Sequence, residues 1–376
     1  MNVRTISRVI VLAVLTLLGS GLAPGLPASV WAQAKPGWQS EWQRIIEAGR
    51  KEGKVIILGP PIREFGPQIR SAFQQATGIE VEYLGLPSGE QNVRIEREMA
   101  TGRPNLDVLI GGAGDLLTVL PRGQLESIAD KLVLPEVTDP KNWRRGQLKW
   151  TDDKQKKYML QITEYVNTDL FVNADRVNPA SITSWKDLLK PEYKGKIVGF
   201  NPTARGPGQA TATYLLTKFG DRFIVDLYKG QNVAVITDSR QMVEMMVRGT
   251  PPIGIGLLNV TVETYRRQGF KLERVFPKDA PGSLVGGFGV LKILKGAPHP
   301  NAAAVFVNWY ATKAGLEIQM KLTGEPSLRT DADRSLVASH LWPQPGVEYD
   351  IDQYTEEFYT QERPKVIKRV VELLGR

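Results

Sequence analysis

The chain has 376 residues, of which 42% are hydrophobic, a formal net charge of +8 and no cysteine. This length and apolar content argue against a disordered chain and favour two structural units. The basic residues are dispersed, which argues against a nucleic-acid-binding surface, and stability has to come from core packing because no disulfide can form.

The first residues have the pattern of a secretory signal peptide. Arg4 and Arg8 precede an apolar run over residues 9–18, and an Ala-Gln-Ala sequence ends at Ala34. A membrane anchor is the less favoured alternative, because that run is shorter than the roughly 20 residues a spanning helix needs. Removal of residues 1–34 would lower the net charge from +8 to about +6, since it removes two arginines and no acid. We expect a soluble periplasmic protein without stable membrane insertion.

Three helix–strand units follow. Helices are predicted to end near Gly53, Gly78 and Gly102, with strands over residues 55–58, 79–84 and 107–110. Residues 88–91 (SGEQ) are interpreted as a capping box that opens the third helix. Helices alternating with strands at this spacing predict an α/β fold with mainly parallel sheets and helices on both faces.

Residues 158–171 (YMLQITEYVNTDLF) separate two such blocks. The apolar run indicates a buried extended segment, and Asn167 with the two residues after it breaks the run as a turn would. We interpret this stretch as the crossing between two lobes that enclose a cleft. An ordinary strand within one larger α/β domain is the alternative.

The second block repeats the alternation. Helices are predicted to begin near Ser184, Gly206, Asp238 and Pro300 and over residues 364–374, with strands over residues 196–200, 232–237 and 252–258. Residues 285–294 are predicted to be the crossing back. The predicted division is residues 35–163 plus 272–312 for the first lobe and 164–271 plus 313–376 for the second.

Four segments, in this order, resemble recurring segments of one family. They are residues 73–83 (FQQATGIEVEY), 191–201 (PEYKGKIVGFN), 248–256 (RGTPPIGIG) and 295–309 (KGAPHPNAAAVFVNW). The family is that of the family 1 extracellular solute-binding proteins, the periplasmic receptors of ABC importers. The resemblance implies a two-lobe, type 2 periplasmic-binding-protein architecture with two crossing segments, which closes on a small molecule. It also implies an inner-membrane ABC permease as partner.

Within that family the chain is most similar to the ferric-ion-binding branch. In that branch a histidine after the first strand, a glutamate after the third and a tyrosine pair coordinate iron. The corresponding stretches here are residues 59–63 (GPPIR), 110–112 (IGG) and 258–261 (LNVT), which contain none of those ligands. The resemblance therefore implies the architecture without an iron site. We expect neither a metal nor a cofactor, because the glycine runs do not complete a nucleotide-binding fingerprint.

Candidate ligand-binding residues follow the predicted strand ends, because the carboxyl ends of strands in open α/β sheets face the binding crevice. Gly206 as N-cap and Pro207 at the first helical position would leave backbone amides at the positive end of a helix, beside Arg205. This is an anion site in outline. The candidates are Arg63, Ser88, Gly89, Glu90, Gly112, Tyr165, Asn201, Thr203, Arg205, Ser239 and Asn259. Plain helix capping, a solvated Arg63 and core packing of Tyr165 are the alternatives.

We expect a monomeric periplasmic solute-binding protein that captures a small, anionic molecule without catalysis. The alternatives are a secreted two-lobe enzyme (a hydrolase or transferase) and a ligand-sensing receptor on the same scaffold. The chain has only two histidines, which argues against an enzyme that uses histidine as an acid or base. His299 is interpreted as a surface turn residue, and His340 lies near a proline-rich loop without a nucleophile motif.

Export should cleave the chain after Ala34, because small residues occupy both positions that the peptidase recognises. The intact mass of protein purified from the periplasm is expected to correspond to residues 35–376. Recovery of the uncleaved chain in the membrane fraction would contradict both the cleavage and the periplasmic location.

Overall fold

The computed structural model describes residues 37–102, 104–167, 170–204, 206–349 and 351–375. The predicted signal peptide and Arg205 lie outside these ranges. The α-helices are α1 Trp38–Glu52, α2 Phe65–Thr77, α3 Ser88–Ala100, α4 Pro135–Thr138, α5 Pro207–Val225, α6 Ser239–Arg248, α7 Asn259–Arg267, α8 Pro300–Tyr310, α9 Lys313–Thr323 and α10 Arg363–Leu374. The strands are β1 Lys54–Gly59, β2 Glu80–Gly85, β3 Val108–Gly111, β4 Leu125–Glu126, β5 Lys149–Trp150, β6 Leu160–Gln161, β7 Tyr165–Asn167, β8 Leu170–Asn173, β9 Ile197–Phe200, β10 Ala234–Ile236, β11 Ile253–Ile255, β12 Leu272–Arg274, β13 Ser283–Val285 and β14 Val290–Leu294.

Two sheets with separate apolar cores form the molecule. Over the described residues, the first sheet has seven strands in the order β2-β1-β3-β14-β6-β5, with β4 paired to β14. The second has five strands in the order β10-β9-β11-β8-β12. Ile57 and Phe306 are fully buried in the first core, and Ile197 and Leu215 in the second. The predicted α/β class is confirmed.

The sheets are mixed, so the expectation of mainly parallel sheets is wrong. β1 is parallel to β2 and β3, and β9 is parallel to β10 and β11. β14 and β8 run antiparallel to these central strands. The reason is their origin: both strands arrive from the other lobe, so no helical crossover from a neighbouring strand forces them to be parallel.

Residues 158–171 do cross between the two sheets. β6 belongs to the first sheet and β8 to the second, while β7 lies between them and pairs only with β13 in a two-stranded antiparallel sheet. β13 leads back from the second sheet into β14. The chain passes between the lobes a third time near Asp352, which forms an isolated β-bridge with Leu284. Beyond this point, α10 packs against α5 in the second lobe.

Sheet membership differs from the predicted lobe limits at two places. β12, placed with the first lobe, pairs with β8 in the second sheet. α9, placed with the second lobe, contributes Leu316 to the core of the first. The pairing of β12 ends before the return crossing begins, and α9 directly follows α8 on the same core. The predicted limits at residues 272 and 312 do not follow these contacts, and the lobe division remains a proposal.

Local sequence sets most helix ends, with one exception. Gly206 is the N-cap of α5, with a φ of 143°, and Pro207 is its first residue, as predicted. The capping box predicted at residues 88–91 is wrong: Pro87 is the N-cap of α3, with no side-chain cap hydrogen bond. Gln91 instead donates its side-chain amide to the carbonyl oxygens of Gly59 and Leu86, at 2.8 Å each.

The loop between β13 and β14, residues 286–289 (GGFG), is the floor loop. Its last residue, Gly289, is buried, and a Cβ there would overlap the Thr163 hydroxyl. That hydroxyl donates to the carbonyl of Gly286 at 2.6 Å, which closes the loop. A side chain at residue 289 would therefore break the contact between the outgoing and returning passes.

Gly289→Ala should lower the free energy of unfolding by about 1–3 kcal/mol, because the added methyl group overpacks a rigid junction. The matched control is Gly230→Ala, where an added Cβ comes no closer than 3.9 Å to any atom outside the neighbouring residues and the local helix backbone. Urea unfolding of both variants measures the difference. Equal stability of the two variants would contradict the packing described here.

Candidate functional site

The carboxyl ends of the central strands of both sheets lead into predicted site residues. Gly112 follows β3 in the first lobe. Asn201 follows β9, and Asn259 begins α7 shortly after β11, in the second lobe. A Cβ at Gly324, at the end of α9, would lie 3.7 Å from the Asn259 side-chain nitrogen, so the two lobes approach each other here.

The first-lobe side of this cleft is built around glycines. The Tyr354 hydroxyl donates to the Gly287 carbonyl of the floor loop at 2.8 Å, and a Cβ at Gly112 would lie 3.2 Å from that hydroxyl. The Gly112 carbonyl accepts from the Lys292 ammonium at 2.9 Å. Lys292 is almost completely buried and pairs with Asp115 at 2.6 Å, so its charge is neutralised beneath the cleft surface.

Glu325 is the prominent residue at the cleft that the sequence did not reveal. Its side chain packs against Gly287, and its two carboxylate oxygens accept the Phe288 amide at 3.2 and 3.1 Å. It is 8% exposed and has no ion pair with any described residue. Burial raises the pKa of Glu325 to about 8, against the opposing hydrogen bonds of Phe288 and Gln319. Glu325 is therefore largely neutral at pH 7.

The second-lobe side holds a compact polar loop. The Asn201 side-chain oxygen accepts from the Thr203 amide at 2.9 Å and from its hydroxyl at 2.8 Å. Gly208, in the first turn of α5, packs so closely on the end of β9 that a Cβ would lie 2.7 Å from the Asn201 carbonyl. The start of α5 is thus held directly beside Asn201 and Thr203.

Two other predicted residues offer unsatisfied polar atoms. The Ser239 hydroxyl and the Asn259 side-chain oxygen are buried and have no hydrogen-bond partner among the residues that the structure describes. Buried polar atoms nearly always have a hydrogen-bond partner, so we expect water or a ligand to bond these two atoms. Asp238, next to Ser239, is occupied as the N-cap of α6, where its carboxylate accepts the Gln241 amide at 2.8 Å.

The remaining predicted residues are less informative. The Arg63 side chain is 96% exposed and lies 3.9 Å from Glu64, which fits a solvated charge. Glu90 is exposed in the first turn of α3, where Ser88 and Gly89 precede it. Tyr165 is half-buried beside the cluster that contains Trp342. Arg205 lies outside the described residues. The eleven-residue set remains a prediction.

The two histidines do not form a catalytic group with the cleft residues. His299 is more than a surface turn residue: its Nδ1 lies 2.9 Å from the buried carboxylate of Asp107, which also accepts the His299 amide. Asp107 precedes β3, at the end of the strand opposite Gly112. His340 packs against Phe276, and burial lowers its pKa to about 4. Within the described residues, no three His, Cys, Asp or Glu side chains are arranged to hold a metal ion.

One cavity of the described residues lies away from the cleft. It has a volume of about 480 Å³ and is lined by Lys196 and Pro252, which precede β9 and β11. These are the amino ends of the strands, whereas ligands of open α/β sheets bind at the carboxyl ends. No helix of the described ranges is long and apolar enough to cross a membrane.

Residues 68–342 match the family described as bacterial extracellular solute-binding protein. The chain belongs to this family. An uncharacterized protein of Haemophilus influenzae is 26% identical over 342 residues, which cover 87% of this solute-binding protein and 92% of the relative. The spermidine/putrescine-binding periplasmic protein of Escherichia coli is 29% identical over 136 residues, or 35% of this chain and 36% of that protein.

Solved structures share the fold of this solute-binding protein. FutA of Trichodesmium, in complex with iron and citrate, has a TM-score of 0.62 at 16% identity and covers 86% of this chain and 100% of its own. AfuA of Actinobacillus pleuropneumoniae, with fructose-6-phosphate bound, has a TM-score of 0.62 at 22% identity and covers 86% and 98%. Both are periplasmic-binding-protein folds, so the predicted two-lobe architecture and family resemblance are confirmed.

Glu325→Gln should change how stability depends on pH. A raised folded-state pKa means that the native chain holds a proton that the unfolded chain has already lost. The stability from this group is complete below about pH 4.5 and is lost as pH rises to about 8. The slope approaches roughly 1.4 kcal/mol per pH unit within that window.

Chemical denaturation of wild type and Glu325→Gln from pH 5 to 8 measures this slope. The variant is expected to lose it, and Glu96→Gln, a half-exposed helix control, is expected to keep it. Identical slopes for wild type and Glu325→Gln would show that Glu325 is not protonated in the native chain.

Proposed function

We propose that this solute-binding protein is the periplasmic receptor of an ABC importer and captures one small molecule between its lobes. The observation that carries the proposal is the β7–β13 sheet, which joins two α/β sheets whose strand ends lead to one cleft. Contacts from both lobes would favour the closed state by differential affinity, and the permease would recognise that state. The protein acts as a monomer, after loss of its signal peptide, without transforming its ligand.

We further propose that the ligand carries an anionic oxygen group. The amides of Gly208 and Gln209, in the first turn of α5, have no acceptor within the helix, and the helix dipole favours a negative charge there. Thr203 lies beside this turn, and Arg205 immediately precedes the Gly206 N-cap. The fructose-6-phosphate of AfuA and the citrate of FutA are ligands of this charge class.

A polyamine is the competing ligand class, because of the spermidine/putrescine-binding relatives, which the chain covers over only 36% of their length. A polyamine needs ionised carboxylates. Asp238 is occupied by the Gln241 amide, and Glu325, with a pKa of about 8, is largely neutral at pH 7. Glu90 is exposed, so of these three carboxylates it is the one still able to contact a cation. This balance favours the anion.

Arg205→Ala should weaken binding of an anionic ligand about tenfold to a hundredfold, because a charge-assisted hydrogen bond contributes roughly 1.5–3 kcal/mol. A thermal-shift comparison of fructose 6-phosphate, citrate and spermidine first identifies a ligand. At about 100 times its dissociation constant, a ligand adds roughly 2.7 kcal/mol of stability. Calorimetry then compares wild type with Arg205→Ala.

Arg63→Ala is the matched control and should lose less affinity, since the Arg63 side chain is 96% exposed. Stabilisation by spermidine alone, or unchanged affinity in Arg205→Ala, would overturn the anion assignment. The receptor function would survive either result. It would fail if closure of the lobes did not accompany binding of any ligand.

A further inference from the structure

A second cavity, of about 200 Å³, lies on the flank of the first lobe beside the crossing segments. Its walls come from residues 144–150, from the turn at residues 153–156 and from residues 354–355 of the third pass. A water molecule occupies roughly 30 Å³ in the liquid, so the cavity has room for a small ligand. None of its lining residues was predicted to contact the cleft ligand.

The cavity wall is organised by one fully buried carboxylate, Glu164. Arg145 donates to both of its oxygens at 3.1 and 3.0 Å, Lys149 donates at 2.5 Å, and Arg144 lies 3.5 Å away. Lys149 also pairs with Asp352. Burial opposes the ionised form, but Lys149 and the two arginines outweigh it and keep the pKa of Glu164 below its usual range. Three lining cations therefore share two carboxylates.

Positive charge remains after this pairing. Lys156 lines the cavity, is exposed, and has no ion pair with a described residue, while the one lining carboxylate, Asp153, accepts the Glu356 amide at 3.2 Å. Burial lowers the pKa of Arg144 to about 10; Glu164 opposes this, and the charges of Arg145 and Arg334 add to it. The lowered pKa therefore reflects first the burial of the Arg144 guanidinium, which the charge of Glu164 only partly offsets.

The backbone holds two of these cations in unusual conformations. Arg145 has a φ of 62° and Lys156 a φ of 54°, in the left-handed region that side chains other than those of Gly, Asn and Asp rarely adopt. Backbone strain of this kind collects at ligand sites. Here it sets two cations at the edge of one cavity.

We propose that this cavity is a second anion site, separate from the cleft, which takes a small dianion of the phosphate type. Lys156 supplies a charged donor that no described carboxylate pairs with, half-exposed Arg145 lies at the same cavity, and Trp150 forms an apolar wall. Tyr354 also lines the cavity and bonds through its hydroxyl to the floor loop of the cleft. The second anion site therefore shares one residue with the cleft floor.

Calorimetric titration of inorganic phosphate into the mature protein, at constant ionic strength, tests this site. Wild type should bind one phosphate saturably, and Lys156→Ala should weaken that affinity at least about tenfold, by loss of a charge-assisted contact. Lys157→Ala is the matched control: Lys157 pairs with Asp130 at 3.3 Å and does not line the cavity. Its affinity should stay within about twofold of wild type, because screened surface charges contribute little.

Arg205→Ala separates this site from the cleft, because Arg205 is proposed to hold the cleft anion, and should leave phosphate affinity unchanged. Loss of binding in Arg205→Ala would move the phosphate to the cleft and overturn the proposal. Absence of saturable binding in folded wild type would overturn it as well, and so would equal weakening in Lys156→Ala and Lys157→Ala. Unaltered melting temperatures of the variants without phosphate confirm that each comparison concerns binding.

Discussion

The pairing of β7 with β13 is the contact on which the two-lobe arrangement depends. The outgoing and returning passes of the chain are held in register from Asn167 opposite Ser283 to Tyr165 opposite Val285. Neither strand belongs to a lobe sheet. Since each pass satisfies the backbone groups of the other, the lobes stay connected through a narrow ribbon, and motion can be confined to its ends.

Glu164 fixes one end of that ribbon. It stands immediately before β7, is fully buried, and is held by cations that all come from the first lobe. Removing one partner of such a buried cluster leaves an uncompensated charge, so the start of the crossing is rigidly tied to the first lobe. The floor loop lies at this same end of the ribbon, since Tyr165 is opposite Val285, and the Thr163 hydroxyl closes it.

Charge in the cleft follows from burial. Lys292 is paired with Asp115 beneath Gly112, and Glu325 is largely protonated at pH 7, so the first-lobe floor presents little net charge. The first turn of α5 then presents the positive end of a helix at the rim. A neutral floor with hydrogen-bonding groups is compatible with the proposed selection of an anion at this turn.

The sequence predicted the elements well where the cause is local. Gly78 ends α2 and Pro207 begins α5 because few other residues suit those backbone positions. Prediction from the sequence failed where a side chain's partner lies far away in the chain. Gln91 fits a capping box by spacing, yet its amide bonds to Gly59, 32 residues earlier. Glu325 meets Phe288 across 37 residues, and no local pattern connects them.

The same limit applies to the crossing segment predicted over residues 285–294. The apolar pattern continues through it, but the floor loop divides it into the end of β13 and β14, because the two halves pair with different partners. The proposed second anion site also has no local pattern in the sequence, since Lys149 and Asp352 meet across 203 residues.

Closure of the lobes on a ligand is tested most directly by a distance measured across the cleft. The chain has no cysteine, so Val93→Cys and Val235→Cys, both at exposed positions on different lobes, can carry spin labels in one protein. Double electron–electron resonance should show a shorter mean distance between the labels and a narrower distribution when a ligand found by thermal shift is added. An unchanged distribution at saturating ligand would contradict the two-lobe capture mechanism.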